Sequence, residues 1–210
     1  MNAAAQLVEL YATLQNEASL GNLLLARSQS DIVPGEGSPT ADILFIGEAP
    51  GYQESVDHRP FVGRSGKLLR QVLEQIGLAP EEYYISNIVK VRPPDNRDPS
   101  PEEIEAFRPY LNQEIAILQP KLIVTLGRFS MAKFLPDVRI SQVHGRLHQV
   151  VWNEQNQYVL PMYHPAAALR ATRTKEQFIL DMQKIPKALV WVQEQHETKM
   201  FKQQVATALL

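Results

Sequence analysis

Residues 43–66 read ILFIGEAPGYQESVDHRPFVGRSG. Four apolar residues, Ile43 to Ile46, form the kind of short run a strand makes when both of its faces are covered. Gly47 ends the run, and Pro50 and Gly51 turn the chain. An irregular stretch is expected from there to Ser65, read as the N-cap of a helix over Gly66–Ile76 that Gly77 closes. A buried strand that empties into a Gly/Pro loop and then a helix is how open α/β sheets hold a ligand, in the crevice at the carboxyl ends of the strands. Within this loop stand Glu48, Glu54, His58, Arg59, Phe61 and Arg64. An ordinary βα connection can carry the same residues, so the rest of the chain has to decide.

Outward from this stretch the same alternation recurs. Residues 2–15 carry Leu7, Leu10, Tyr11 and Leu14 at helical spacing, and a further helical turn or two is expected over Leu20–Arg27. Ser28 to Asp42, with two Pro and two Gly, reads as a loop. Tyr83–Val89 is a second strand, followed by the basic, Pro-rich loop Lys90–Pro99. Ser100, Pro101 and Glu103 open a helix that runs to about Leu118. Lys121–Leu126 is a third strand, with a short helix after it around Phe129–Leu135. Leu147–Trp152 and Tyr158–Met162 read as a strand pair about the turn Asn153–Gln157, and Tyr163–Arg170 as a loop or short helix. The chain closes in a helix from about Thr174 to Gln195, interrupted near Pro186, and a frayed tail. The expected fold is a three-layer α/β/α arrangement around a mainly parallel sheet of about four strands. Residues 1–210 are read as a single domain, with 1–34 an N-terminal helical segment and 174–210 a C-terminal helix and tail.

Composition narrows the chemistry. The chain has 210 residues, is 44% hydrophobic and carries a formal charge of −2, so any polyanion site has to come from local clustering. Without cysteine there is no disulfide, thiolate metal site or thiol nucleophile, and the five His are scattered without ligand spacing, so no metal and no cofactor are expected. No stretch reads as a signal peptide or a membrane span, which leads to the expectation of a cytoplasmic monomer with no membrane partner.

Three loops follow predicted strands: GEAPG…RPFVG, Asn87 with KVRPPDNRDP, and HPAAALR. In an α/β sheet they converge on one edge. Together GEAPG, RPFVGRSGKLL, NIVKVRPPDNRDPSPEE and HPAAALR resemble the uracil-DNA glycosylase superfamily, and most of all its family 4, over about Gly35 to Arg170. The resemblance implies a monofunctional enzyme that flips uracil out of DNA and hydrolyses its glycosidic bond, with uracil-containing DNA as its partner.

The residues suit that chemistry in their own right. An extruded base needs a pocket that grips a flat ring and reads its edge. Phe61 suits stacking, although a Phe is more often core. Asn87 offers a carboxamide with acceptor and donor side by side, which pairs with N3–H and O4 of uracil and mismatches cytosine; its plainer role is a strand cap. Bond cleavage drives negative charge onto the base and positive charge onto the sugar. Glu48 is the candidate carboxylate near the sugar or the attacking water. His164 is the donor that the resemblance places at O2, with backbone N–H groups of the Glu48–Ala49 turn beside it. The resemblance also puts Glu54 against the space a thymine methyl would occupy, and Asn96 is grouped with the substrate-binding set. Ala49 stands where sister families carry a water-activating Asp or Asn, so leaving-group stabilisation is expected to dominate. DNA contact is assigned to Arg64, Lys67, Lys90, Arg92, Arg97 and Arg170.

Family 4 usually holds a four-iron–four-sulfur cluster on four Cys. The matching places here are Ala18, Gly21, Val91 and Phe107, so a cluster-free domain with a hydrophobic plug is expected. His58 also departs from the pattern, which has Gly there. Two other readings compete: a relative that binds uracil-DNA without cutting it, and an unrelated α/β enzyme that binds phosphate through GEAPG. The first has no need for Glu48, Phe61, Asn87 and His164 together, and the second leaves HPAAALR and Asn87 without a task.

Overall fold

A computed structural model describes residues 1–208, with side chains through Phe201. One six-stranded sheet organises it, in the order β1-β3-β2-β4-β6-β5. The strands are β1 (Glu36–Gly37), β2 (Ile43–Gly47), β3 (Tyr83–Asn87), β4 (Leu122–Leu126), β5 (His148–Trp152) and β6 (Gln155–Met162). The helices are α1 (Ala3–Ser19), α2 (Tyr52–Asp57), α3 (Arg64–Gln75), α4 (Pro101–Leu118), α5 (Arg128–Ala132), α6 (Ile140–Val143), α7 (Pro165–Ala168), α8 (Thr172–Met182) and α9 (Ile185–Ala208). The four central strands are parallel, as expected; the edge strands β1 and β5 pair antiparallel, which makes six strands where the sequence suggested about four.

The apolar runs explain the layering. In β2, Leu44 and Ile46 enter one core with Leu10, Leu14, Phe107 and Leu111 from α1 and α4. Ile43 and Phe45 enter the other, with Leu69, Leu73, Phe178 and Met182 from α3 and α8. Successive strand residues point to opposite faces, so a strand buried on both sides has to be apolar at every position. The chain leaves β2 for β3 on one side and crosses to β4 on the other, so the strand order reverses at β2. Such a reversal opens a crevice at the carboxyl edge of the sheet.

Elsewhere the structure corrects the sequence reading. The stretch after Gly51 is not wholly irregular but contains α2. α3 begins at Arg64 behind Gly63, so Ser65 lies within the helix and does not cap it. Leu20–Arg27 is not helical: Gly21 and Leu25 both take positive φ, 73° and 72°. The turn between β5 and β6 is only Asn153–Glu154, both with positive φ (47° and 62°), the left-handed pair that a two-residue hairpin turn uses. The C-terminal helix breaks at Gln183–Lys184 and then runs on to Ala208, well past the expected end near Gln195. Of the region read as a C-terminal tail, residues 209–210 lie outside the described residues.

Candidate active site

Register puts the site at one edge. Gly47 pairs with Asn87, and Leu126 with Met162, so the loops after β2, β3, β4 and β6 leave the sheet side by side. They enclose a cavity of about 610 Å³. Glu48, Ala49, Glu54, Phe61, Asn87, Asn96, Arg97, His164 and Arg170, all singled out in the sequence, line it. Arg64, Lys67 and Arg92 do not; Arg64 and Lys67 lie exposed on the first turn of α3.

Phe61 and Asn87 meet over Gly47. A Cβ on Gly47 would run into Asn87 Oδ1 and the Phe61 ring, so only glycine permits this approach. Phe61 itself is held at φ 54°, a conformation that costs a non-glycine residue about 1–2 kcal/mol and persists only when its surroundings enforce it. The enforcement is visible. Arg70 of α3 donates to the carbonyls of Phe61 and Pro60 (both 3.1 Å) and pairs with Glu36 of β1, which also holds Arg59 (2.7 Å). From the cavity side Glu54 accepts from the N–H groups of Gly51 (3.2 Å), Val62 (3.0 Å) and Gly63 (2.8 Å). Both Glu54 oxygens are thereby engaged: the carboxylate lines the cavity but braces the loop that carries Phe61.

Asn87 is 3% exposed, and its Oδ1 has no hydrogen-bond partner. Burying an unpaired amide oxygen costs about 1–3 kcal/mol. A strand cap would have satisfied that atom, so the arrangement fits an acceptor held ready for a ligand.

His164 faces Phe61 at 6.1 Å between ring centroids. Burial, helped by the Arg170 charge, pushes its pKa down to about 4, so the ring is neutral. Its Nδ1 accepts from the Ala166 N–H (3.1 Å), which leaves the proton on Nε2. Gly127, at φ 98°, lets the chain turn out of β4 against the His164 side chain. Burial also pushes the half-buried Glu48 up to about 7; Asp98 adds to this and Arg128 and Arg170 oppose it.

Sequence reasoning missed several of these residues. Tyr163, Gly127, Arg128, Asp98 and Ile140 also line the cavity. The signal for Gly127 and Arg128 was the same as for the other loops, the carboxyl end of a parallel strand, here β4. Arg70 carried no local signal, since its partners Glu36 and Pro60 lie elsewhere in the chain. Lys90 must leave the DNA-contact set: it is 1% exposed, and its ammonium donates to Glu114 Oε2 (2.5 Å) and to Ser86. Tyr11 donates to the other oxygen of Glu114. Arg97 is bound bidentately by Glu103, and Arg128 pairs with Asp98.

The residues at the cluster positions do not fit a metal centre. Ala18, Val91 and Phe107, at 0%, 4% and 0% exposure, lie in one apolar core with Leu14 and Leu111. Gly21 is the exception to the expected plug: it is exposed, at a turn, and a side chain there would meet only open space. Among the described residues no group of three His, Asp or Glu side chains is arranged around a common point.

The comparisons agree with this geometry. A family model described as the uracil DNA glycosylase superfamily matches residues 34–184. The type-4 uracil-DNA glycosylase of Sulfurisphaera tokodaii is 44% identical over 163 residues, covering 75% of this chain and 74% of that protein. Those of Archaeoglobus fulgidus and Saccharolobus solfataricus are each 41% identical, over 77% and 79% of this chain and 83% and 79% of their own. A match spanning all four loops and most of the sheet shows that the chain belongs to the uracil-DNA glycosylase superfamily.

Proposed function

We propose that this protein excises uracil from DNA by hydrolysing the glycosidic bond of an extruded deoxyuridine, without an iron–sulfur cluster. The observation that carries the reading is the buried, unpartnered Asn87 Oδ1 beside the Phe61 ring at the floor of a cavity. Phe61 stacks on the base. Asn87 accepts from N3–H and donates to O4, so cytosine, with the reverse pattern, leaves buried groups mismatched. As the bond breaks, negative charge grows on O2, where the neutral His164 donates from Nε2; a donor whose contact strengthens in the transition state is worth about 100- to 1,000-fold in rate. Glu48, when ionised, stabilises the cationic sugar or orients the attacking water. Ala49 offers no general base, so expulsion of the base is the assisted step. Glu54 and Asn96 shape the cavity wall, and Arg64, Lys67, Arg92, Arg97 and Arg170 meet phosphate.

No helix among the described residues is long and apolar enough to cross a membrane. We take residues 1–210 to act as one unit, a monomer working in the cytoplasm on DNA, with 1–34 and 174–210 flanking its catalytic part.

The test is cleavage of a uracil-containing oligonucleotide beside thymine and cytosine controls, by the wild type and by Asn87→Asp. The wild type releases uracil only. Asn87→Asp sets a carboxylate against O4 and drops uracil excision by at least about 100-fold, since buried mismatches of about 1–3 kcal/mol each accumulate. Unchanged uracil activity in this variant would reduce Asn87 to a strand cap. A wild type that binds uracil-DNA yet never releases the base would make the protein a recognition module instead.

A further inference from the structure

Beside the cavity, one exposed aromatic side chain, Tyr52, is left without a task. Tyr52 opens α2 directly after the cavity-lining Gly51, and it is 63% exposed. The Arg92 guanidinium lies over its ring, 5.2 Å from the centroid. Arg92 is fixed in turn, its Nε donating to Asn96 Oδ1 at 2.7 Å. Among the described residues no carboxylate pairs with Arg92, whereas Arg97, Arg128 and Lys90 nearby are each matched to an acid. Pro93 and Asn96, on the same turn as Arg92, line the cavity, so the Tyr52–Arg92 pair stands on its rim.

An aromatic ring this exposed gains little from folding, and a surface cation–π contact is worth only about 0.5–1 kcal/mol. The chemistry matches another demand. When one nucleotide is drawn into the cavity, the next base on the same strand is carried to the rim by its covalent link. In a duplex that base stays paired and stacked, and pulling it out costs a few kcal/mol. In a single strand it is loose, and an exposed ring beside a guanidinium is the platform on which single-stranded bases stack.

We propose that Tyr52 and Arg92 form a second subsite, which stacks the base adjoining the extruded uracil and favours single-stranded DNA. Tyr52 supplies the ring, and Arg92 extends the stack and meets the adjoining phosphate. The proposal rests on the uracil-excision reading and adds a second contact to it.

The experiment measures affinity and excision separately. Affinity is read by anisotropy on labelled single strands that carry one 2′-fluoro-deoxyuridine, whose fluorine resists positive charge on the sugar and so blocks cleavage. The uracil is flanked either by normal bases or by abasic linkers. Base–aromatic stacking of about 1–3 kcal/mol per base corresponds to roughly 5- to 150-fold, so the wild type binds the base-flanked strand tighter by a factor in that range. Tyr52→Ala loses that preference, Tyr52→Phe keeps it, and excision from duplex DNA is unchanged in both. Arg92→Ala weakens both strands and lowers the salt slope by about one ion. Equal binding of the two strands by the wild type, or a preference that survives Tyr52→Ala, overturns the subsite. Failure of the wild type to excise uracil from both single-stranded and duplex DNA overturns the activity instead, and the binding comparison still decides the subsite.

Discussion

At Glu48 burial and two arginines pull in opposite directions, and burial wins. Its carboxyl is carried up to about 7, with Asp98 adding to the shift and Arg128 and Arg170 opposing it. In the role proposed for Glu48 the useful form is the anion, whose population grows as pH rises through the shifted value. We therefore expect kcat/KM for uracil excision to climb about tenfold per pH unit below 7 and to level off above it, because this parameter reports the free enzyme. His164, pushed down to about 4, stays neutral above pH 5 and adds no limb between pH 5 and 9. In Glu48→Gln the rate should be lower and the profile flat. A profile that keeps its rise in that variant would assign the titration to another group. That Glu48, Asn87 and His164 line one cavity was legible because each stands at or just beyond the carboxyl end of a predicted strand. The shift at Glu48 was not, since the Asp98 and Arg128 that adjust it come from loops that meet only in the fold.

Elements were legible where burial imposed a period. The runs of β2, β3 and β4 are five residues long, buried at every position and bounded by turn residues, which marks strands rather than helices, and Ser100 with Glu103 marked the start of α4, where both capping hydrogen bonds are present. α2 was missed because YQESVD is short and polar, with Glu54 its one buried residue, and β1 was missed because it is two residues long. The extra helix expected after Ser19 failed because two left-handed residues outweigh a few leucines. The expected plug is an element-scale device: Phe107 of α4, Ala18 of α1 and Val91 of the loop after β3 are buried in one apolar core. Phe107→Ala should lower unfolding free energy by about 3–5 kcal/mol, measured by urea denaturation, since a fully enclosed ring leaves a cavity. A loss below about 1 kcal/mol would mean that the segment collapses freely and does not brace the fold.

Over the whole molecule, a formal charge of −2 leaves affinity for DNA to a few placed cations. Among the described residues Arg64, Lys67, Arg92 and Arg170 pair with no carboxylate, while Arg97 is already held by Glu103. Each phosphate neutralised contributes about 0.7–0.9 to the slope of log affinity against log salt. Arg170→Ala should therefore flatten that slope by nearly one, whereas Arg97→Ala should change it by less, because a guanidinium bound to an acid releases fewer ions on meeting phosphate. Equal changes in the two variants would show that the Arg97–Glu103 pair opens on DNA.

Ala18, Val91 and Phe107 belong to a core of apolar side chains with no cysteine or methionine among them, so it offers an oxidant no thiolate or thioether. The packing of this segment is indifferent to peroxide, to oxygen tension and to the supply of iron and sulfide. This half of the scaffold is expected to outlast oxidants that dismantle an iron–sulfur cluster, under the same stress that damages DNA.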